Sequence, residues 1–163
     1  MNTASFKPSN AFIIASWIAL GVGGLGFLSS LWNAAMSLND KGYYMTLLLF
    51  GLFSAVSLQK SVRDKLEGIP VTSTYFGLCW LAVILSFSLM AGGLLNSIMA
   101  ISEKGFYAMA FALSLYAAIT VQKNVRDTQA SEQTNDQTQD IPRGTAPRER
   151  KTPSERMRPA SEL

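Results

Sequence analysis

Two asparagines, Asn33 and Asn96, stand 63 residues apart inside long stretches that carry no charge. An amide in such a place has two uses. It can bond to a neighbouring helix, worth about 0.6–2 kcal/mol in lipid, or it can form the polar floor of a site for a small neutral ligand. No Asp, Glu, Lys or Arg shares these stretches, so an ion or proton relay has no carrier. A second constellation is Gln59-Lys60-Ser61-Val62-Arg63-Asp64, which returns as Gln122-Lys123-Asn124-Val125-Arg126-Asp127. Lys and Arg near a helix C-terminus complement its dipole and snorkel to headgroups. Lys60 and Asp64, and likewise Lys123 and Asp127, are i, i+4 neighbours. Anchoring accounts for these charges but not for the repeated glutamines, which a symmetric partner reading both copies would explain. Gln59, Lys60, Arg63, Gln122, Lys123 and Arg126 are therefore candidate cytoplasmic contact or lipid-anchor residues.

Other patterns dissolve on inspection. Gly21-Val22-Gly23-Gly24-Leu25-Gly26 spells a dinucleotide fingerprint, but that motif needs a preceding strand and a βαβ unit. Here it lies within a charge-free helical stretch, and its counterpart at 84–89 has no glycine. Close helix packing explains it better: Ala15, Ala19 and Gly23 share a face, as do Gly26, Ser30 and Ala34, and Ser88, Gly92 and Asn96. Cys79 is the only cysteine and there is no histidine, which removes internal disulfides, His ligation and His catalysis. No nucleophile stands with a base in the apolar segments, so neither an enzyme nor a cofactor or metal site is expected.

The elements that hold these residues follow from an internal repeat. Residues 11–64 recur at 74–127 with a fixed offset of 63 and no gap. Lys41-Gly42-Tyr43-Tyr44 returns as Lys104-Gly105-Phe106-Tyr107, and Trp17, Leu31 and Met36 match Trp80, Leu94 and Met99. Charge is absent from 8–39, 42–59, 68–102 and 105–122, windows of 18–35 residues. Such lengths suit membrane spans, and a soluble bundle would need a polar face on each helix. The mean hydropathy of +0.19 averages an apolar body and a polar tail. Spans are expected at about 11–38, 43–62, 75–101 and 106–123, within repeats 11–67 and 75–127. Ser9 or Asn10 caps the first, and Gly68 with Pro70 stops the second. The polar turns are placed at Asn39-Asp40-Lys41-Gly42 and Glu103-Lys104-Gly105, with Gly42 at φ > 0.

Lys60, Arg63 and Lys65 lie between spans two and three, Lys123 and Arg126 follow span four, and Lys7 precedes span one. The turns hold one lysine each, so the positive-inside rule puts both termini in the cytoplasm. Two helices per copy make the repeats parallel, related by a pseudo-two-fold axis along the membrane normal. The segment 1–10 is a short cytoplasmic lead. Residues 129–163 are polar, and their composition predicts a disordered cytoplasmic tail. Basic residues do not cluster on one face, which argues against nucleic acid.

Ser16-Trp17-Ile18-Ala19-Leu20, Leu31-Trp32-Asn33-Ala34, Gly51-Leu52-Phe53-Ser54-Ala55, Glu67-Gly68-Ile69-Pro70 and the repeated elements above resemble the YiaA/YiaB family of bacterial inner-membrane proteins. The resemblance covers residues 10–128 and implies two copies of the YiaAB two-helix domain. It implies a multi-pass location in the inner membrane of a Gram-negative bacterium, and no activity, substrate or catalytic residue.

The sequence therefore predicts an all-α integral membrane four-helix bundle of two tandem two-helix repeats. The expected role is a non-enzymatic scaffold or regulator acting through helix and cytoplasmic-end contacts. The alternative is a small oligomeric transporter or channel for a neutral solute. Expected partners are membrane lipids, with either a second copy of the chain or a membrane or cytoplasmic protein, and no nucleic acid.

Overall fold

The computed structural model describes residues 8–139, with side chains as far as 133. Four helices follow one another: α1 (Asn10–Asn33), α2 (Leu38–Leu66), α3 (Ser73–Asn96) and α4 (Ile101–Gln139). Each is long and apolar enough to cross a membrane. The 24 residues of α1 extend about 36 Å at 1.5 Å per residue, against a hydrocarbon core of about 30 Å.

Local chemistry sets the ends. Ser9 caps α1, its Oγ accepting from the Phe12 backbone N–H. Ser37 caps α2 in the same way, accepting from the Asp40 N–H and donating to the Asp40 carboxylate at 2.7 Å. That reciprocal arrangement is a variant of the capping box, and it moves the expected turn. The polar Asn39-Asp40-Lys41-Gly42 stretch is the first turn of α2, and the chain reverses earlier, through residues 34–37. The second reversal, at 97–100, likewise precedes Glu103, whose carboxylate accepts from the Ala100 N–H. Absence of charge was a poor marker of the helix end because the reversing residues are themselves uncharged. Gly42 lies inside a helix, and Gly68 is the one glycine with positive φ, at 75°, among the described residues.

Gly68 ends α2 as expected. The second copy has Ser131 at that position and no proline following closely, so α4 runs on to Gln139. Residues 129–139 are thus helical rather than part of a disordered tail; the rest of that segment, and residues 1–7, lie outside the described residues.

The helices pair across the repeats. α1 packs along α4 and α3 along α2, while α2 meets α4 through the middle of the bundle. Within a copy, α1 barely touches α2, and α3 barely touches α4. The core holds Phe27, Leu31, Leu47, Leu48, Met90, Leu94, Phe111 and Leu115. Ser54, Ser61, Ser86 and Ser114 are also fully enclosed, while Val22, Leu25, Phe53 and Met109 face outward and are 63–75% exposed. Serines enclosed among the core residues, with large apolar side chains facing outward, is the distribution that lipid, not water, favours. The enclosed serines donate to carbonyls three or four residues back in their own helices, so no hydroxyl donor is wasted.

Gly23 marks the closest seam. A methyl group added there would stand 2.8 Å from the Ser114 Oγ and 2.9 Å from the Ser114 N, so the backbones of α1 and α4 need a glycine at this point. The small-residue face expected from the sequence is therefore real at Gly23. At Gly24, on another face, nothing lies within 4 Å.

Candidate functional site

The end of the bundle that carries the two short reversals opens into a cavity of about 1080 Å³. Its walls come in pairs offset by the repeat: Asn33 and Asn96, Met36 and Met99, Asp40 and Glu103, Tyr44 and Tyr107. The last pair stacks with ring centroids 5.9 Å apart and planes within 20°. Phe27 meets the Tyr107 ring edge-on at 5.2 Å, and Ser30 Oγ donates to the Tyr107 hydroxyl at 3.2 Å. Below the tyrosines, Leu47, Leu48 and Phe111 pack the middle of the bundle.

Asn33 and Asn96 thus share one cavity, but they do not bond to each other. Each amide donates to its own helix four residues back, Asn33 to the Ser29 carbonyl and Asn96 to the Gly92 carbonyl, both at 2.8 Å. The expected interhelical bond is replaced by these local ones, because a helix C-terminus offers carbonyls within immediate reach of an asparagine. Besides the Ser30–Tyr107 bond, two further interhelical polar contacts lie outside this cavity. Asn124 donates to Ser16 Oγ at 2.9 Å, joining α4 to α1, and Ser61 Oγ lies 3.4 Å from Cys79 Sγ, joining α2 to α3. These are the same contact in the two copies, since Ser16 corresponds to Cys79 and Ser61 to Asn124.

The Lys-Gly-aromatic-Tyr element also has a structural use at nearly every position. Lys41 Nζ donates to the Trp32 carbonyl at 2.8 Å and Lys104 Nζ to the Leu95 carbonyl at 3.5 Å, closing the end of the preceding helix in each copy. Tyr43 lies over Gly93 and donates to the Leu89 carbonyl at 2.7 Å; its counterpart Phe106 lies over Gly26. Both Asp40 and Glu103 are helix caps first and cavity walls second. The sequence placed Asp40 and Glu103 in turns and paired Tyr44 with Tyr107, but it gave no sign that they wall a common cavity or that the tyrosines stack.

At the opposite, basic end, the candidate contact residues divide. Gln59, Arg63, Lys123 and Arg126 line a groove of about 610 Å³ between α2, α3 and α4, while Lys60 and Gln122 lie outside it. Arg63 holds Glu67 through two bonds, Nε to Oε1 at 2.6 Å and Nη2 to Oε2 at 3.1 Å. These bonds hold the Glu67 carboxyl below the ordinary carboxylate range. Arg126 has Ala130 where a second such carboxylate would stand, and instead approaches Asp127 at 3.8 Å. The side-chain oxygens of Gln59 and Gln122 are both buried with no hydrogen-bond partner among the described residues. No group of three or more His, Cys, Asp or Glu side chains that could hold a metal occurs among them either.

Four apolar spans, the two-fold repeat and lipid-facing aliphatics define a multi-pass membrane protein built from tandem two-helix units. The family described as yiaA/B two helix domain matches residues 12–64 and 75–127, and the chain belongs to that family. It is 56% identical over 119 residues to "Inner membrane protein YiaA" of Escherichia coli (strain K12), covering 73% of this chain and 82% of that protein. No solved structure matches the chain. It is an inner-membrane protein with four candidate spans among the described residues.

Proposed function

We propose that the protein is a non-enzymatic scaffold or regulator that acts through its basic end, with that end and both termini in the cytoplasm. The excess of Lys and Arg at the α2–α3 connection and after span four supports this orientation. The buried, unpartnered oxygens of Gln59 and Gln122 carry the functional reading. A sequestered acceptor without a donor costs about 1–3 kcal/mol, and the fold bears it in both copies. Lipid anchoring needs Lys and Arg but no glutamine. A partner that shifts the ends of α2 and α4 and offers donors to both oxygens would recover that cost twice. Gln59→Leu with Gln122→Leu tests it by affinity purification from membranes and thermal melting in detergent. A bundle at least as stable as the parent, but stripped of its co-purifying protein, is expected. An unchanged set of co-purifying proteins would sink the reading.

A second reading, binding or transport of a neutral solute, is favoured by one observation: Asn33 and Asn96 face a common cavity. The packed side chains beneath Tyr44 and Tyr107 oppose free passage through one copy. Flux in proteoliposomes lost on Asn33→Leu with Asn96→Leu would establish it; flux that survives would remove this site.

A further inference from the structure

The groove at the basic end has a polarity that fits one kind of molecule. Its charged lining consists of Arg63, Lys123 and Arg126, all cationic, and no carboxylate lines it. The rest is chiefly apolar and includes Trp80, Val83 and Phe87 of α3, facing Leu115 and Ile119 of α4. Trp80 and Phe87 are nearly half exposed on the outer faces of a membrane bundle, so the groove opens sideways toward the bilayer. Its volume falls within the roughly 300–1,000 Å³ usual for small-ligand sites.

We propose that this groove seats one anionic glycerophospholipid, with an acyl chain along α3 and α4 and the phosphate among Arg63, Lys123 and Arg126. The charges are unequally available. Arg63 is engaged by Glu67, and Arg126 lies near Asp127. Lys123 has no hydrogen bond or ion pair among the described residues, so its ammonium is the cation most available to a headgroup phosphate. A transmembrane helix as occupant would need no cluster of cations at one end. A soluble anion would not need a lipid-facing aromatic wall. An amphiphile with a single anionic head uses both.

The repeat supplies an internal control. Lys60 corresponds to Lys123, but the wall opposite it would be Trp17, Leu20 and Gly24 in place of Trp80, Val83 and Phe87. Gly24 has no side chain to close a groove, and Lys60 does not line the one described. The two lysines share sequence context and helix position, so general attraction to an anionic surface acts on both. Only a formed site separates them.

The test is native mass spectrometry of the full chain released from vesicles of phosphatidylglycerol and phosphatidylethanolamine, counting retained lipids. One phosphatidylglycerol held in preference to phosphatidylethanolamine is expected. Lys123→Gln should lower its retention roughly fivefold, the worth of one lysine beside an anionic headgroup, while Lys60→Gln leaves it unchanged. Val83→Trp, which fills the groove without altering charge, should abolish it. Equal retention of the two lipids, equal losses from the two lysine variants, or retention that survives Val83→Trp would each overturn the proposal. The partner reading above turns on the glutamines, so loss of lipid selectivity and loss of a protein partner are separate readouts.

Discussion

Where α1 meets α4, Gly23 brings two backbones together against Ser114. In the related seam between α3 and α2, the matching position is Ser86, wholly enclosed, and the tight glycine is Gly93, which lies beneath the Tyr43 ring. The repeat-related polar link is Asn124 to Ser16 in one seam and Ser61 beside Cys79 in the other; Ser30–Tyr107 and Tyr43–Leu89 add one bond to each. One seam closes backbone to backbone with a hydrogen bond from an asparagine amide; the other closes ring to backbone, with the Tyr43 hydroxyl on the Leu89 carbonyl and a weak sulfur contact. A duplicated fold therefore preserves the direction and pairing of its helices while each interface finds its own way to bring them close. In lipid this freedom is physical: association rests on dispersion contact and a few hydrogen bonds, and several small-residue positions along a helix can serve.

Substitutions in the two seams should separate them. Gly23→Ala has the largest expected effect, a loss of about 1–3 kcal/mol in detergent unfolding, because the added methyl meets backbone as well as a side chain. Gly24→Ala, with nothing within 4 Å, should be neutral or slightly stabilising. Equal behaviour of the two would show that close approach does not hold α1 to α4. Gly93→Ala should cost less, about 1 kcal/mol, since the obstruction at 2.7 Å is the partly exposed Tyr43 ring, which can shift at the expense of its hydrogen bond to the Leu89 carbonyl. Gly26, which lies under Phe106 in the other seam, tolerates alanine, as the nearest atom of that ring would be at an ordinary 3.8 Å. Fluorescence of tyrosine and tryptophan alongside the melt would tell ring displacement from helix separation.

Asn124→Ala follows, with an expected loss near 0.6 kcal/mol, the typical value of an interhelical hydrogen bond in a membrane. Cys79→Ala should cost less in the opposite seam, where the 3.4 Å contact is a weak thiol bond. The smallest effect concerns pH. Glu67 is held below its ordinary pKa by Arg63, so its contribution is present above the usual carboxylate range and disappears as pH falls through the lowered value. Glu67→Gln should therefore melt slightly earlier than the parent at neutral pH and indistinguishably from it in acid. No corresponding effect is expected in the second copy, where Ala130 occupies that position.

Much of this architecture was legible in the residue types. Charge-free windows gave four spans because lipid excludes charge across a fixed thickness, and the repeat gave their two-fold relation. The turns were misplaced by several residues because the reversing segments 34–37 and 97–100 are apolar or weakly polar, and only the cap geometry of Ser37 marks where α2 begins. The pairing of α1 with α4 was not readable, since lipid-facing and helix-facing surfaces are both apolar and periodicity loses its contrast. The repeat pairs Asn33 with Asn96, and both line one cavity. Their bonds were not foreseen, because choosing between a neighbouring helix and the carbonyl four residues back is decided by angstroms. The tyrosine pair and the unpartnered glutamine oxygens emerge only when both copies are set side by side in space.

Ser16 and its partner Asn124 are separated by 108 positions. At a synthesis rate of roughly 5–20 residues per second, the ribosome takes on the order of 5–20 s to deliver the second after the first. During that interval α1 stands in the bilayer without its main neighbour, and Gly23 faces lipid instead of Ser114. The earliest helix made is among the last to be seated, so the nascent first half depends on the membrane, or on an insertion factor, to keep its partner face unclaimed until α4 arrives.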